Sequence, residues 1–386
     1  MRENTGSRKT VMLGAALYAV SAPLLPFVQF RPNRVLSGES YYLWQLGGAQ
    51  GIMMLLAMLL IPILLVFLPR KLSILHEVFV LLSLLLSLTA LSMSAHLLTR
   101  ASAVARVSIG SGFWLSTAGV ALMISASHAP KKQKGGFRIR GGIAALLIVV
   151  VLLPLGAFDN LSIMREYFNR RETFAAQISR HLLLAASSVG AAALFGVPLA
   201  FMLYSRRKLK RAVFFLVNMG QTIPTLSLLG LLMVPLAYLS SKSELLRKLG
   251  VSGVGFWPAW IALFIYALFP ILHNALAGLQ MVDPAVIEAA LSVGMTKNQV
   301  FYKVQIPLAM PLMIGGVRTA LTQSMGNTVL AALIGGGGLG SLIFLGLAQS
   351  APDLIMLGTV PLVLLTFLSD AMLGSLVRYL DKGEAL

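Results

Sequence analysis

The chain repeatedly runs for about 20 residues with hardly a charge, the length that a helix rising about 1.5 Å per residue needs to cross the hydrocarbon core of a bilayer. By hydropathy these windows fall near residues 11–30, 47–69, 72–95, 107–127, 142–157, 180–204, 212–238, 255–277, 312–335 and 354–377. They predict an all-α polytopic membrane protein of about ten transmembrane helices. Composition agrees: 57% of residues are hydrophobic and 11% charged, whereas a soluble domain carries roughly twice that charge. The first window follows "MRENTGSRK" and so imitates a signal peptide. It lacks a clear small-residue cleavage site and further spans follow it, so it reads as a retained helix.

Zero cysteines exclude disulfides, iron–sulfur clusters and thiolate metal sites. His76, His96, His128, His181 and His273 are scattered, with no i,i+4 pair and no HExxH, so neither a metal site nor a catalytic group is expected. The net charge of +18 reads as an orientation signal at an anionic membrane face, not as a nucleic-acid footprint. With the amino terminus inside, "MRENTGSRK", "PRK", "KKQKGGFRIR", "SRRKLKR", the segment 283–307 and the tail "RYLDKGEAL" all face the cytoplasm and hold most of the Lys and Arg. Both termini are therefore expected in the cytoplasm.

The chain divides near Phe158. Residues 1–157 contain about five spans with short connections and no motif that carries chemistry. Residues 158–179, rich in both signs of charge, are an outward connector, either an amphipathic interfacial helix or a solvated link. Residues 180–378 hold the patterned polar positions, and 379–386 form a short tail. No internal repeat is evident.

Within the second half, "EAALSVGMTKNQVFYKVQIP" interrupts the apolar pattern. Asp283-Pro284 supplies an N-cap residue followed by proline at the first helical position. Val286, Ile287, Ala290 and Leu291 then share a helical face, and Gly294 is placed to end the helix in a left-handed conformation. Thr296 with Gln299 forms a capping box for a second short helix that Pro307 is expected to close. A helix–glycine–helix element with an apolar face of this size calls for a partner.

At these residues the chain resembles a family. Glu288-Ala289-Ala290, three residues, Gly294, nine residues, then Val304-Gln305-Ile306-Pro307 is similar to the EAA loop of permease subunits of bacterial binding-protein-dependent ABC importers. The usual ending is I-x-L-P, and Val304 and Ile306 are volume-tolerant exchanges. The resemblance implies a type I importer permease core in the bacterial inner membrane. It also implies that Glu288, Ala289, Ala290, Gly294, Val304, Ile306 and Pro307 belong to a coupling helix docked on a cytoplasmic ATPase. "QTIPTLSLLGLL", "IYALFPILHNALAGL" and "LIGGGGLGSLIFLGL" further resemble the glycine betaine, carnitine and choline permeases of osmoprotectant importers, over about residues 175 to 378. The implied partners are an ABC ATPase, an extracytoplasmic substrate-binding protein, a second permease subunit in a homo- or heterodimer, and membrane lipid, with no nucleic acid. The chain has no GxxxxGK[ST], so ATP and magnesium are expected on the ATPase, with no cofactor in this chain and no enzymatic activity of its own.

"IGGGGLGS" lacks the Lys-Ser of a phosphate loop and reads instead as a helix break or a close-packing site. Pro224 and Pro270 should kink their helices and release carbonyls tolerated only against protein or a water-filled cavity. Gln221, Thr222, Pro224, Asn274 and Asn327 are accordingly candidates for the translocation pathway, with plain interhelical hydrogen bonding as the alternative. Of the ionisable residues in or beside spans, Arg318 is expected to snorkel, Glu77 to reach the interface beside His76, and Asp370 to pair internally. An ABC permease for another small solute, and an ion-coupled transporter using Glu77 or Asp370 as a proton relay, remain the alternatives.

Overall fold

The computed structural model describes residues 3–33, 36–68, 73–100, 102, 104–126 and 136–381. The basic stretches at 69–71 and 131–135, His128, and tail residues 382–386 lie outside the described residues. The protein is mostly helical and divides into two compact units, Met1–Asn169 and Arg170–Leu386. Among the described residues seven helices are long and apolar enough to cross a membrane.

The first unit contains α1 (Glu3–Leu24), α2 (Ala49–Phe67), α3 (Ser73–Thr99), α4 (Ser111–Ala126), α5 (Gly136–Leu152) and α6 (Ser162–Asn169). Helices α1 and α4 meet backbone to backbone. A Cβ on Gly14 would lie 2.7 Å from the Gly119 carbonyl oxygen, and one on Gly119 would lie 2.6 Å from that of Gly14. Only glycine permits this approach, the usual device where dispersion rather than water drives helix association. Fully buried Tyr18 ties the pair to α3: its hydroxyl donates to the Ser83 carbonyl at 2.7 Å and accepts from Ser87 Oγ at 3.3 Å.

The expected span at 11–30 stops early. Pro26 has no N–H to continue α1 and biases Leu25 away from helix. The chain instead enters β1 (Val28–Arg31), which pairs antiparallel with β2 (Glu39–Tyr41) and β3 (Arg106–Ile109) in a small sheet absent from the hydropathy reading. Val28 lies opposite both Tyr41 and Ile109. Such short strands, one of them 75 residues downstream, leave no periodicity signal.

The second unit contains α7 (Arg171–Tyr204), α8 (Arg207–Thr222), α9 (Thr225–Lys242), α10 (Glu244–Lys248), α11 (Phe256–Met281), α12 (Pro284–Ser292), α13 (Lys297–Val300), α14 (Ile306–Asn327), α15 (Gly340–Ala348) and α16 (Pro352–Asp381). Helix α11 is its hub and packs against α7, α8, α9 and α14. Its buried face is lined by Ala259, Ala262, Ala267, Ala275 and Gly278, small residues that let neighbours approach closely.

The single span expected at 212–238 is two helices. Ile223 (φ −74°, ψ 125°) and Pro224 (φ −56°, ψ 140°) are extended between α8 and α9, because the proline ring disfavours helical geometry in the residue before it. The span expected at 312–335 begins earlier, at Ile306, and tightens after Asn327 into a 3₁₀ turn at Thr328–Ile334. The segment expected to be a connector, 158–179, includes α6, a break at Arg170 and the opening turns of α7.

Candidate functional site

The segment from Asp283 to Pro307 folds from its own local signals. Asp283 Oδ1 accepts the Ala285 N–H at 2.9 Å and starts α12, with Pro284 at the first helical position. The helix ends at Gly294, whose φ of +89° is open to glycine but strained for any side chain. There the Gly294 N–H donates to the Leu291 carbonyl at 3.0 Å and the Met295 N–H to that of Ala290 at 3.2 Å. This pair of bonds is the Schellman arrangement, which satisfies the last carbonyls of a helix. Immediately afterwards the Thr296 N–H donates to Gln299 Oε1 at 2.8 Å and the Gln299 N–H to Thr296 Oγ1 at 3.3 Å, a complete capping box for α13.

Pro307 does not close this second helix. The chain stays helical through Phe301–Gln305 as a π-turn, in which the Ile306 N–H reaches back to the Phe301 carbonyl, and then continues into α14. The wider turn accommodates a proline that has no N–H and whose ring would clash with the carbonyl four residues earlier. The trailing end is also anchored. Val300 and Gln305 are buried, Gln305 Nε2 donates to the Tyr204 hydroxyl at 3.1 Å, and Phe301 packs edge-on against Phe201 of α7 at 5.5 Å. The leading face is bare: Val286, Glu288, Ala289, Leu291 and Val293 are exposed, Val293 by 80%. Val304 and Ile306 are half-buried at the root.

The pathway candidates separate in space. Pro270 cannot supply the N–H that would bond the Tyr266 carbonyl one turn back in α11. Gln221 fills that place, its Nε2 donating to the Tyr266 carbonyl at 2.6 Å, while the Tyr266 hydroxyl donates to the carbonyl of Ile223. The α8–α9 break and the proline position of α11 thus satisfy each other, and Gln221 makes an interhelical bond. Thr222 turns its hydroxyl back to Met219 and is exposed, as is Pro224.

Asn274 belongs to a different place. It donates to the Pro270 carbonyl at 2.8 Å and lines an open groove of about 630 Å³ between α11, α14 and α16, with Arg318, Thr319, Thr322, Gln323 and Asp370. Arg318 does not snorkel to the helix end. Its Nε and Nη2 donate to Asp370 Oδ1 and Oδ2 at 2.6 and 2.7 Å, a bidentate pair that balances two charges otherwise costly within a span. Gly374 makes room for it, since a Cβ there would meet Arg318 Cζ at 3.1 Å. Asp370 thus pairs internally, as its depth suggested, and a residue held in such a pair is a poor proton relay.

Asn327 is neither at the Gln221–Tyr266 bond nor in the groove; it is the last residue of α14, where the helix tightens. The glycine run beyond it breaks the helix, with positive φ at Gly335, Gly337 and Gly338. Helix α7 holds this loop: Gln177 Oε1 accepts the Gly338 N–H at 2.7 Å and Arg180 Nε donates to the Gly336 carbonyl at 3.1 Å. Sequence reasoning missed Tyr266, Gly374 and Tyr204. The signals were present as the tyrosine four residues before Pro270 and the glycine four residues after Asp370, but they acquire meaning only once their partners are known.

Residues 192–385 match the family described as the binding-protein-dependent transport system inner membrane component, and residues 7–164 match that of the N-terminal domain of the ABC transporter permease YehY. Among curated proteins, the chain is 33% identical to the glycine betaine/carnitine/choline transport system permease protein OpuCD of Bacillus subtilis, over 56% of this chain and 88% of that one. It is 36% identical to the osmoprotectant import permease protein OsmW of Salmonella typhimurium, over 51% of this chain and 86% of that one. Among solved structures, an inward-facing form of the MetNI methionine ABC transporter aligns with 55% of this chain and 98% of that chain, at 22% identity and a TM-score of 0.48. The chain belongs to the family of inner-membrane components of binding-protein-dependent transport systems and is an ABC importer permease subunit, not itself an enzyme.

Proposed function

We propose that this permease carries glycine betaine or a related quaternary-ammonium osmolyte inward, driven by ATP hydrolysis on a separate cytoplasmic ATPase. The substrate class is supported by the relatives, named for glycine betaine, carnitine, choline and osmoprotectant transport. The coupling role is carried by one observation. The segment Asp283–Pro307 is capped at both ends of α12 and at the start of α13, rooted in α7 at Phe201 and Tyr204, and bare on its apolar leading face. A short rigid element continuous with α11 and α14 passes the closure of a docked ATPase dimer to those helices as rigid-body motion.

In this reading Glu288, Ala289, Ala290 and Gly294 meet the ATPase, while Val304, Ile306 and Pro307 form the root. ATP and magnesium bind to the ATPase. An extracytoplasmic binding protein delivers the substrate, and a second permease subunit completes the pathway. Residues 180–378 are the permease core, 158–179 an extracytoplasmic connector, 1–157 a membrane extension and 379–386 a cytoplasmic tail, with both termini cytoplasmic. Gln221, Thr222, Pro224, Asn274 and Asn327 lie along or beside the route, Asn274 in the groove and Gln221 as a brace.

The test is uptake of radiolabelled glycine betaine into vesicles holding the reconstituted complex with ATP inside. Uptake that requires both ATP and the binding protein is the expected result. Uptake that persists without the ATPase and collapses with the proton gradient would overturn the reading.

A further inference from the structure

The Arg318–Asp370 pair lies deep in its helices. Arg318 is ~18 Å along α14 from Ile306, and Asp370 is ~16 Å from Asp381, so both lie well inside apolar helices long enough to cross a membrane. Yet the pair is not sealed: the two side chains remain 39% and 34% exposed, and both face the groove of about 630 Å³. That volume falls in the range of small-molecule sites. Polar side chains gather there from three helices: Asn274 of α11, Thr319, Thr322 and Gln323 of α14, and Asp370 of α16. A pair serving only to join α14 to α16 has no use for such an opening.

We propose that this groove is a transient binding site for a small zwitterion, in which the Arg318 guanidinium takes the carboxylate and the Asp370 carboxylate faces the quaternary ammonium. The idea rests on the reading of the chain as a quaternary-ammonium permease and assigns a place and a charge pattern to its substrate. The planar guanidinium fork matches a carboxylate as well as it matches Asp370. Exchanging the internal pair for two pairs with the zwitterion leaves no charge uncompensated, so the high cost of an unpaired ion in low dielectric is avoided throughout. Each incoming zwitterion must also compete with the internal pair, which keeps occupancy brief, as a translocation site requires. Gly374 belongs to the device because it lets the guanidinium lie against α16.

The chain has no cysteine, so Thr319→Cys places a unique thiol in this permease, on an exposed wall of the groove. In the reconstituted complex with its ATPase and binding protein, labelling by a small charged methanethiosulfonate should slow about fivefold or more when glycine betaine is transported, with no slowing by equimolar sodium chloride. An unchanged labelling rate during measured uptake overturns the site while leaving the substrate intact. Absence of glycine betaine uptake by the unmodified complex overturns the substrate reading and this site with it. A second arm uses Arg318→Met/Asp370→Leu, which removes both charges together and so leaves no uncompensated ion. Assembly and binding-protein-stimulated ATP hydrolysis should persist while glycine betaine uptake falls about tenfold or more. Wild-type uptake in that variant would show the pair to be structural and overturn the proposal.

Discussion

The side-chain amide of Gln221 donates at 2.6 Å to the carbonyl of Tyr266, the acceptor that Pro270 leaves without its helical partner. A residue in the turn before one proline repairs the defect made by another 49 positions later, and the Tyr266 hydroxyl returns the bond to Ile223. The two helix defects thus form one rigid joint between α8, α9 and α11.

Gln221→Leu should leave that carbonyl unpaired in an apolar setting and cost about 1–3 kcal/mol. Thermal unfolding of the detergent-solubilised protein reads the loss. Pro270→Ala restores the backbone donor, so the double variant should recover most of it. Additive destabilisation would show that the bond is incidental.

Adjacent glycines of α14 should respond oppositely. A Cβ on Gly316 would lie 2.8 Å from Asn274 Cβ and 2.9 Å from the Pro270 carbonyl oxygen, whereas one on Gly315 meets nothing within 4 Å. Gly316→Ala is expected to force α11 and α14 apart at a cost of about 1–3 kcal/mol. Gly315→Ala should leave the unfolding temperature unchanged or slightly raised, because alanine is the better helix former. Equal effects at the two positions would contradict the packing.

The contrast between these regions shows what the sequence could express. The segment Asp283–Pro307 was readable nearly bond by bond, because Asp283, Gly294, Thr296 and Gln299 act on backbone within a few residues of themselves. Pro307 misled because its usual effect, stopping a helix, was absorbed by a π-turn that has no sequence mark. The split at Pro224 was foreshadowed by the proline itself but hidden under continuous hydropathy. Arg318 was assigned to the interface on its position along the helix, whereas its partner Asp370 lies 52 residues away on another helix. Pairings of that range become visible only in three dimensions.

Gly294→Ala should cost about 1–2 kcal/mol, since an L-residue is strained at positive φ. The loss should be local. Hydrogen exchange at the Gly294 and Met295 amides should accelerate while exchange in α11 and α14 stays unchanged. Thr296→Ala should weaken the start of α13 by about 1 kcal/mol through loss of its cap. Acceleration spread evenly through the second unit would mean that the segment is not an independently capped element.

The coupling role of this segment can be tested by contact. Val293→Cys carries a unique thiol on the bare face, and a benzophenone maleimide attached there reports what lies against it in the assembled transporter. The predicted result is a covalent adduct with the ATPase subunit from Val293→Cys and none from Val254→Cys, a similarly attached control between α10 and α11. An intact, ATPase-containing complex that gives no ATPase adduct at Val293 would contradict the assignment of Asp283–Pro307 as the docking surface.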